Sequence, residues 1–161
     1  FSYKLCARSC QKILYYGQQH TMKTPMEETI ERNVNHPSHY TGHKSGIETI
    51  DITRWLPFDL GNAWKYLMRY NMKNAAKQDV LKACWYLNDY ANNRVAPIVP
   101  QCDVETLLEN MDTVISSEES EKIQGGLSLI RTICKFPMEH VPGDAIADVI
   151  KSLTEYANTL G

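Results

Sequence analysis

Gly61-Asn62-Ala63-Trp64-Lys65-Tyr66-Leu67-Met68-Arg69 decides the fold of this chain. At 3.6 residues per turn, Leu60, Ala63, Trp64, Leu67 and Met68 form one apolar stripe. Asn62, Lys65, Tyr66, Arg69 and Lys73 fall on the opposite face. That face carries donors, cations and one aromatic ring and has no acid. Two readings compete for it: a solvated helix surface, or the donor set that a phosphate-bearing ligand needs.

Outward from this helix the pattern stays helical. Asp59 is the expected N-cap, and the helix is expected to run to about Lys73. Ile47 to Trp55 reads as a short helix ending before Pro57, behind a loop from Asn35 to Gly46 punctuated by Pro37, Gly42 and Gly46. After a turn at Asn74 to Ala76, a third helix begins at Lys77. Its pattern buries Val80, Cys84, Leu87 and Ala91, and puts Asp79, Lys82, Tyr86 and Asp89 outside. So short a turn makes the second and third helices antiparallel neighbours.

Ala96-Pro97-Ile98-Val99-Pro100 is a stiff linker, because its two prolines disfavour helix on both sides. Three more helices follow it. The first starts after Asp103, the second after Ser116 with Glu119 completing a capping box, and the third after Gly143. No strand pattern of comparable strength occurs. The expected architecture is all-α: an N-terminal extension over 1–34, a three-helix domain over 35–95, a proline-rich linker over 96–102, and a second three-helix region over 103–161.

Composition sets bounds on function. The chain has 161 residues, 43% hydrophobic and 22% charged, enough for one ordinary globular domain with a helical extension. Net charge is -2, so no global field draws it to nucleic acid or anionic membrane, and any anion site must be local. The apolar runs are too short for a membrane span. The five cysteines are scattered without a Cys-x-x-Cys pair, which fits reduced thiols in a cytoplasmic setting. The chain opens on Phe1, and residues 1 to 26 hold four cations and no acid. Met22 reads as the natural start, with residues 1 to 21 an added extension or a transit-like leader.

The motifs leave few nucleotide-binding routes. Gly42-His43-Lys44-Ser45 lacks the glycines of a Walker loop, and no Gly-x-Gly-x-x-Gly occurs. A nucleotide site would therefore be built from side chains and helix ends. His36, His39 and His43 share one loop without a cysteine or a fourth ligand nearby, so ligand contacts or loop hydrogen bonds are preferred over zinc. Glu48 and Asp51, three apart, suit either a divalent cation or an ion-pair network with Lys65 or Arg69.

Four blocks in this order and spacing carry a resemblance. They are Pro37-Ser38-His39-Tyr40; Ile47-Glu48-x-Ile50-Asp51; Gly61-Asn62-Ala63-x-Lys65-Tyr66-x-x-Arg69 with Lys73; and Asp79-x-x-Lys82-Ala83-x-Trp85-Tyr86-Leu87. Together, over residues 35–90, they resemble the small phage domain known as SaV-like, described as a nucleotide kinase in the T-odd phages. Asn71 stands where that family usually has a turn glycine, and Gln78 where an acid commonly precedes the aspartate.

The resemblance implies a phage-type deoxynucleoside monophosphate kinase without a Walker loop, working in the host cytoplasm. It implies Lys65, Arg69 and Asp79 as the catalytic set, with Lys65 and Arg69 clamping phosphate oxygens. His36, His39, Tyr40, Asn62, Tyr66, Lys73 and Lys82 complete the nucleotide site. Mg2+ is the expected cofactor, with Glu48 and Asp51 as its candidate ligands. Two alternatives stay open: an all-α nucleoside triphosphate pyrophosphohydrolase, and a non-catalytic nucleotide-sequestering protein. The aromatic load of Trp55, Trp64, Trp85, Tyr86 and Tyr90 exceeds what a three-helix core should absorb. A homo-oligomer is therefore expected, with no direct nucleic-acid or membrane partner.

Overall fold

The computed structural model describes residues 24–30, 42–72, 74–97, 99–100, 103–136 and 141–161. Among them are seven helices: α1 (Pro25–Ile30), α2 (Thr49–Thr53), α3 (Phe58–Arg69), α4 (Ala76–Asn93), α5 (Val104–Ser117), α6 (Glu121–Lys135) and α7 (Gly143–Thr159). The described residues contain no strand, so the all-α reading holds. No helix among them is long and apolar enough to cross a membrane.

Three helix ends differ from the sequence reading. Pro57, not Asp59, occupies the N-cap of α3, and Asp59 sits inside the first turn, where its charge meets the helix dipole. The helix stops at Arg69, short of Lys73, which lies outside the described residues. Ser116 falls within α5, and the cap of α6 is Ser120, which accepts a hydrogen bond from the Ile123 amide. The left-handed position is also displaced. Among described non-glycine residues only Arg94, the C-cap of α4, has positive φ, and Asn71 does not.

The apolar stripes close one core. Leu60, Ala63, Trp64, Leu67 and Met68 of α3 are buried, as are Val80, Cys84 and Leu87 of α4. They join Leu107 and Met111 of α5, Ile123, Leu127 and Ile130 of α6, and Ile146 and Leu153 of α7 in a single cluster. α3 packs on α4, α4 on α7, α7 on α6, and α6 back on α3; α2 bridges α3 and α5, and α5 lies against α6. The helices on either side of the proline linker therefore share one hydrophobic interior.

Small residues and polar pins fix this closure. A Cβ on Gly126 of α6 would stand 2.8 Å from Leu67 Cδ1 and 3.1 Å from Leu153 Cδ1, so any side chain there has to push these buried leucine ends aside. Arg94 donates through Nη1 to the Val141 carbonyl at 2.8 Å, tying the end of α4 to the start of α7. Thr154 donates to Cys84 Sγ at 3.7 Å, and burial raises the thiol pKa of Cys84. Burial alone pushes that of Cys134 up to about 12.

Candidate functional site: a cationic and aromatic face on α3 and α4

Because α3 and α4 are antiparallel and give their apolar stripes to the same core, their polar faces lie side by side. Tyr66 is the centre of that surface. Lys65 Nζ lies 4.4 Å from the centre of its ring, Arg69 Cζ 4.8 Å and Lys82 Nζ 5.4 Å. The negative face of the ring gathers three cations into a space where they would otherwise repel. Lys65 also donates to Asn62 Oδ1 at 2.6 Å, while Asn62 Nδ2 donates to the Phe58 carbonyl at 2.8 Å. Asn62 thus braces the lysine against the first turn of α3.

Arg69 and Asp79 depart from their expected exposure. Arg69 is only 8% exposed and Asp79 only 2%. Arg69 donates from Nε to Asp79 Oδ2 at 3.0 Å and from Nη2 to Oδ1 at 3.4 Å. The helical wheel put both residues outside; pairing across two packed helices is what lets both charges go in. Lys82 Nζ is 3.7 Å from the same carboxylate. Among the described residues Asp79 is thus the acid beside these cations, paired with Arg69 and Lys82, while Lys65 bonds to the neutral Asn62. The pKa of Lys65 is lowered by burial first, then by Arg69 and Lys82, with Asp79 opposing.

Aromatic rings continue the face. Tyr86 stacks on Tyr66 at 5.9 Å between ring centres with 15° between planes. Phe58 and Trp85 meet Tyr86 edge-on at 5.7 and 4.9 Å. Of the five aromatics whose number pointed to an oligomer, Trp64 and Tyr90 are buried, and Trp55 and Tyr86 are half-buried against the core. Trp85 stays 62% exposed beside Phe58, itself 73% exposed. Beside Phe58 and Lys65 a groove of about 330 Å³ opens between α2 and the start of α3.

The carboxylates divide differently from expectation. Asp51 accepts from Arg54 Nη2 at 3.2 Å, a local pair within one turn, and Glu48 is the N-cap residue of α2. Asp59 and Asp89, thirty residues apart, face each other across α3 and α4. The pKa of Asp59 is raised by burial, then by the Asp89 charge and a hydrogen bond between the two. Nothing in their spacing signalled that pair. Among the described residues no group of three or more His, Cys, Asp or Glu side chains is placed to hold a metal ion.

His43 turns inward, as a loop hydrogen-bonding residue. Its Nε2 lies 2.8 Å from Glu118 Oε1, and the Ser45 amide donates to Nδ1 at 3.2 Å. His36, His39, Tyr40 and Lys73, expected in the nucleotide site, fall outside the described residues.

The model of one family, described as a protein of unknown function (DUF3310), matches residues 34–88. That span begins in the loop before α2 and ends within α4, covering every residue of the cationic and aromatic face. No curated protein matches the chain. No solved structure matches it either.

Proposed function

We propose that the α3–α4 face binds the phosphates of a nucleotide and that the protein is a nucleoside monophosphate kinase acting without a Walker loop. The observation that carries this is the gathering of Lys65, Arg69 and Lys82 around the Tyr66 ring, with Asp79 the carboxylate among them in the described residues. Excess cation at a half-buried surface is costly unless an anion completes it. Phosphoryl transfer asks mainly for positioning and for neutralisation of charge on the moving group. Lys65 and Lys82 are open enough to touch phosphate oxygens, and Arg69, oriented by Asp79, adds its field from behind them. Mg2+ in this reading arrives with the nucleotide phosphates, as that ion commonly does.

Product analysis tests the reaction. Incubation with deoxynucleoside monophosphates, nucleoside triphosphate and Mg2+ should yield diphosphates. Monophosphate and pyrophosphate from a triphosphate alone would replace the kinase with a pyrophosphohydrolase. Tight nucleotide binding with no product would leave a sequestering protein.

A further inference from the structure

Trp85 is the one large aromatic side chain of α4 that the core leaves open. It is 62% exposed, although Tyr86 packs against it and is itself in contact with Tyr66 and Phe58. It is nevertheless held in place. Tyr86 meets it edge-on at 4.9 Å with 89° between planes, and Tyr86 is itself fixed by Tyr66 on one side and Phe58 on the other. The ring thus presents a flat surface to solvent with Tyr86 against it. Lys82 lies one helical turn before Trp85, on the same side of α4. The cation cluster around Tyr66 is two ring-to-ring steps away.

We propose that Trp85 is the platform on which the base of the nucleotide stacks while its phosphates rest on Lys65 and Lys82. This rests on the phosphate-binding reading of the same face and assigns the base a place that reading leaves open. Charge complementarity selects the occupant. An aromatic surface flanked by the half-exposed ammonium of Lys82 and, beyond it, by Lys65 matches a ligand with a flat ring at one end and phosphate at the other, the order of parts in a nucleotide. A surface built for a second copy of this chain would have to bring two such cation clusters together. Stacking on an aromatic side chain tolerates every base, so Trp85 supplies affinity with little base preference.

The test compares a ligand with a base against one without it. A deoxynucleoside triphosphate and inorganic triphosphate are titrated by calorimetry into the whole protein and into Trp85→Ala and Trp85→Phe. Thermal melting beside each titration confirms folding. The substituted side chain is exposed, so all three proteins are expected to melt alike. Trp85→Ala is expected to lose about 5- to 100-fold in affinity for the nucleotide and none for inorganic triphosphate, with Trp85→Phe in between. Tryptophan fluorescence of the unaltered protein is expected to be quenched by the nucleotide, and this quenching to vanish in Trp85→Phe. Unchanged nucleotide affinity in a folded Trp85→Ala protein, with triphosphate still bound, overturns the platform and leaves the phosphate site standing. A shift from dimer to monomer in Trp85→Ala, again without loss of nucleotide affinity, assigns the ring to a second copy and overturns it too. If the unaltered protein binds neither ligand, the phosphate site itself falls and the platform with it.

Discussion

His43 Nε2 and Glu118 Oε1 meet at 2.8 Å, both side chains almost wholly buried, across 75 residues of chain. Next to them Lys44 Nζ reaches Glu119 Oε1, also at 2.8 Å, but in the open. Two consecutive residues of the loop before α2 are thereby matched to two consecutive residues of the turn between α5 and α6. The Ser45 amide donates to Nδ1, and the Ser45 hydroxyl lies 2.7 Å from the same nitrogen, so the ring is held from both sides with Nε2 against the carboxylate. The segment bearing the cationic face is fastened here to helices beyond its family match.

This pair should dominate the stability of the junction. Glu118 Oε2 is buried without a hydrogen-bond partner, so the carboxylate depends on His43. His43→Ala is expected to cost about 3 to 5 kcal/mol, the usual result of leaving a buried charge unpaired. Lys44→Ala, which removes only the exposed pair, should cost under about 1 kcal/mol. Urea denaturation of both variants checks the contrast; equal effects would refute it.

Arg69 and Lys65 should separate stability from binding. Arg69→Ala removes the hydrogen-bonded partner of buried Asp79, leaving it Lys82 at 3.7 Å, and is expected to destabilise by about 3 kcal/mol. Replacing both partners together, Arg69→Met with Asp79→Leu, should recover part of that loss, because the carboxylate is no longer left buried without its arginine. Lys65→Ala should melt close to the unaltered protein. Its affinity for inorganic triphosphate should fall by about 1.5 to 3 kcal/mol, the worth of a charge-assisted hydrogen bond. Denaturation and calorimetry on the three variants decide it; a Lys65→Ala protein with full affinity contradicts the phosphate site.

Lys65 should also set the alkaline limit of binding. Its pKa stands below the ordinary 10.5 because burial, Arg69 and Lys82 penalise the ammonium. A bound phosphate favours the charged form and moves the pKa back up, so binding takes up a proton in the alkaline range below the ordinary lysine value. Affinity for inorganic triphosphate is expected to decline as pH rises through that range. Without ligand the sign is opposite: the fold bears the cost of a charged Lys65 at lower pH and is relieved of it as the lysine deprotonates. Lys65→Arg keeps its charge throughout and should flatten the decline. Calorimetry across that range in buffers of different ionisation heat reads the proton directly.

Gly126 should be the least replaceable glycine of the described core. Valine there drives branched carbons toward Leu67 and Leu153, both fully buried, and is expected to cost about 1 to 3 kcal/mol through overpacking. Gly61, whose Cβ would meet nothing nearer than 3.5 Å, should accept alanine with little change or a small gain in helix stability. Thermal melts of Gly126→Val and Gly61→Ala test the difference.

The sequence by itself determined the helices and their buried faces. A repeat of apolar residues at helical spacing can be satisfied only by packing that stripe away from water, so Leu60 to Met68, Val80 to Leu87 and Ile123 to Cys134 were legible without coordinates. The short turn made α3 and α4 neighbours, and the family resemblance assigned Lys65, Tyr66 and Lys82 to one site. Periodicity assigns a residue a direction on its own helix and is silent about what covers that direction. Only the tertiary structure decided that Asp79 lies across from Arg69 and draws both charges inside, and that Asp59 faces Asp89. It alone set His43 against Glu118 and folded the C-terminal helices into the same core. Those pairings join residues that no local spacing relates, and their energies come from burial and charge that exist only once the helices have packed.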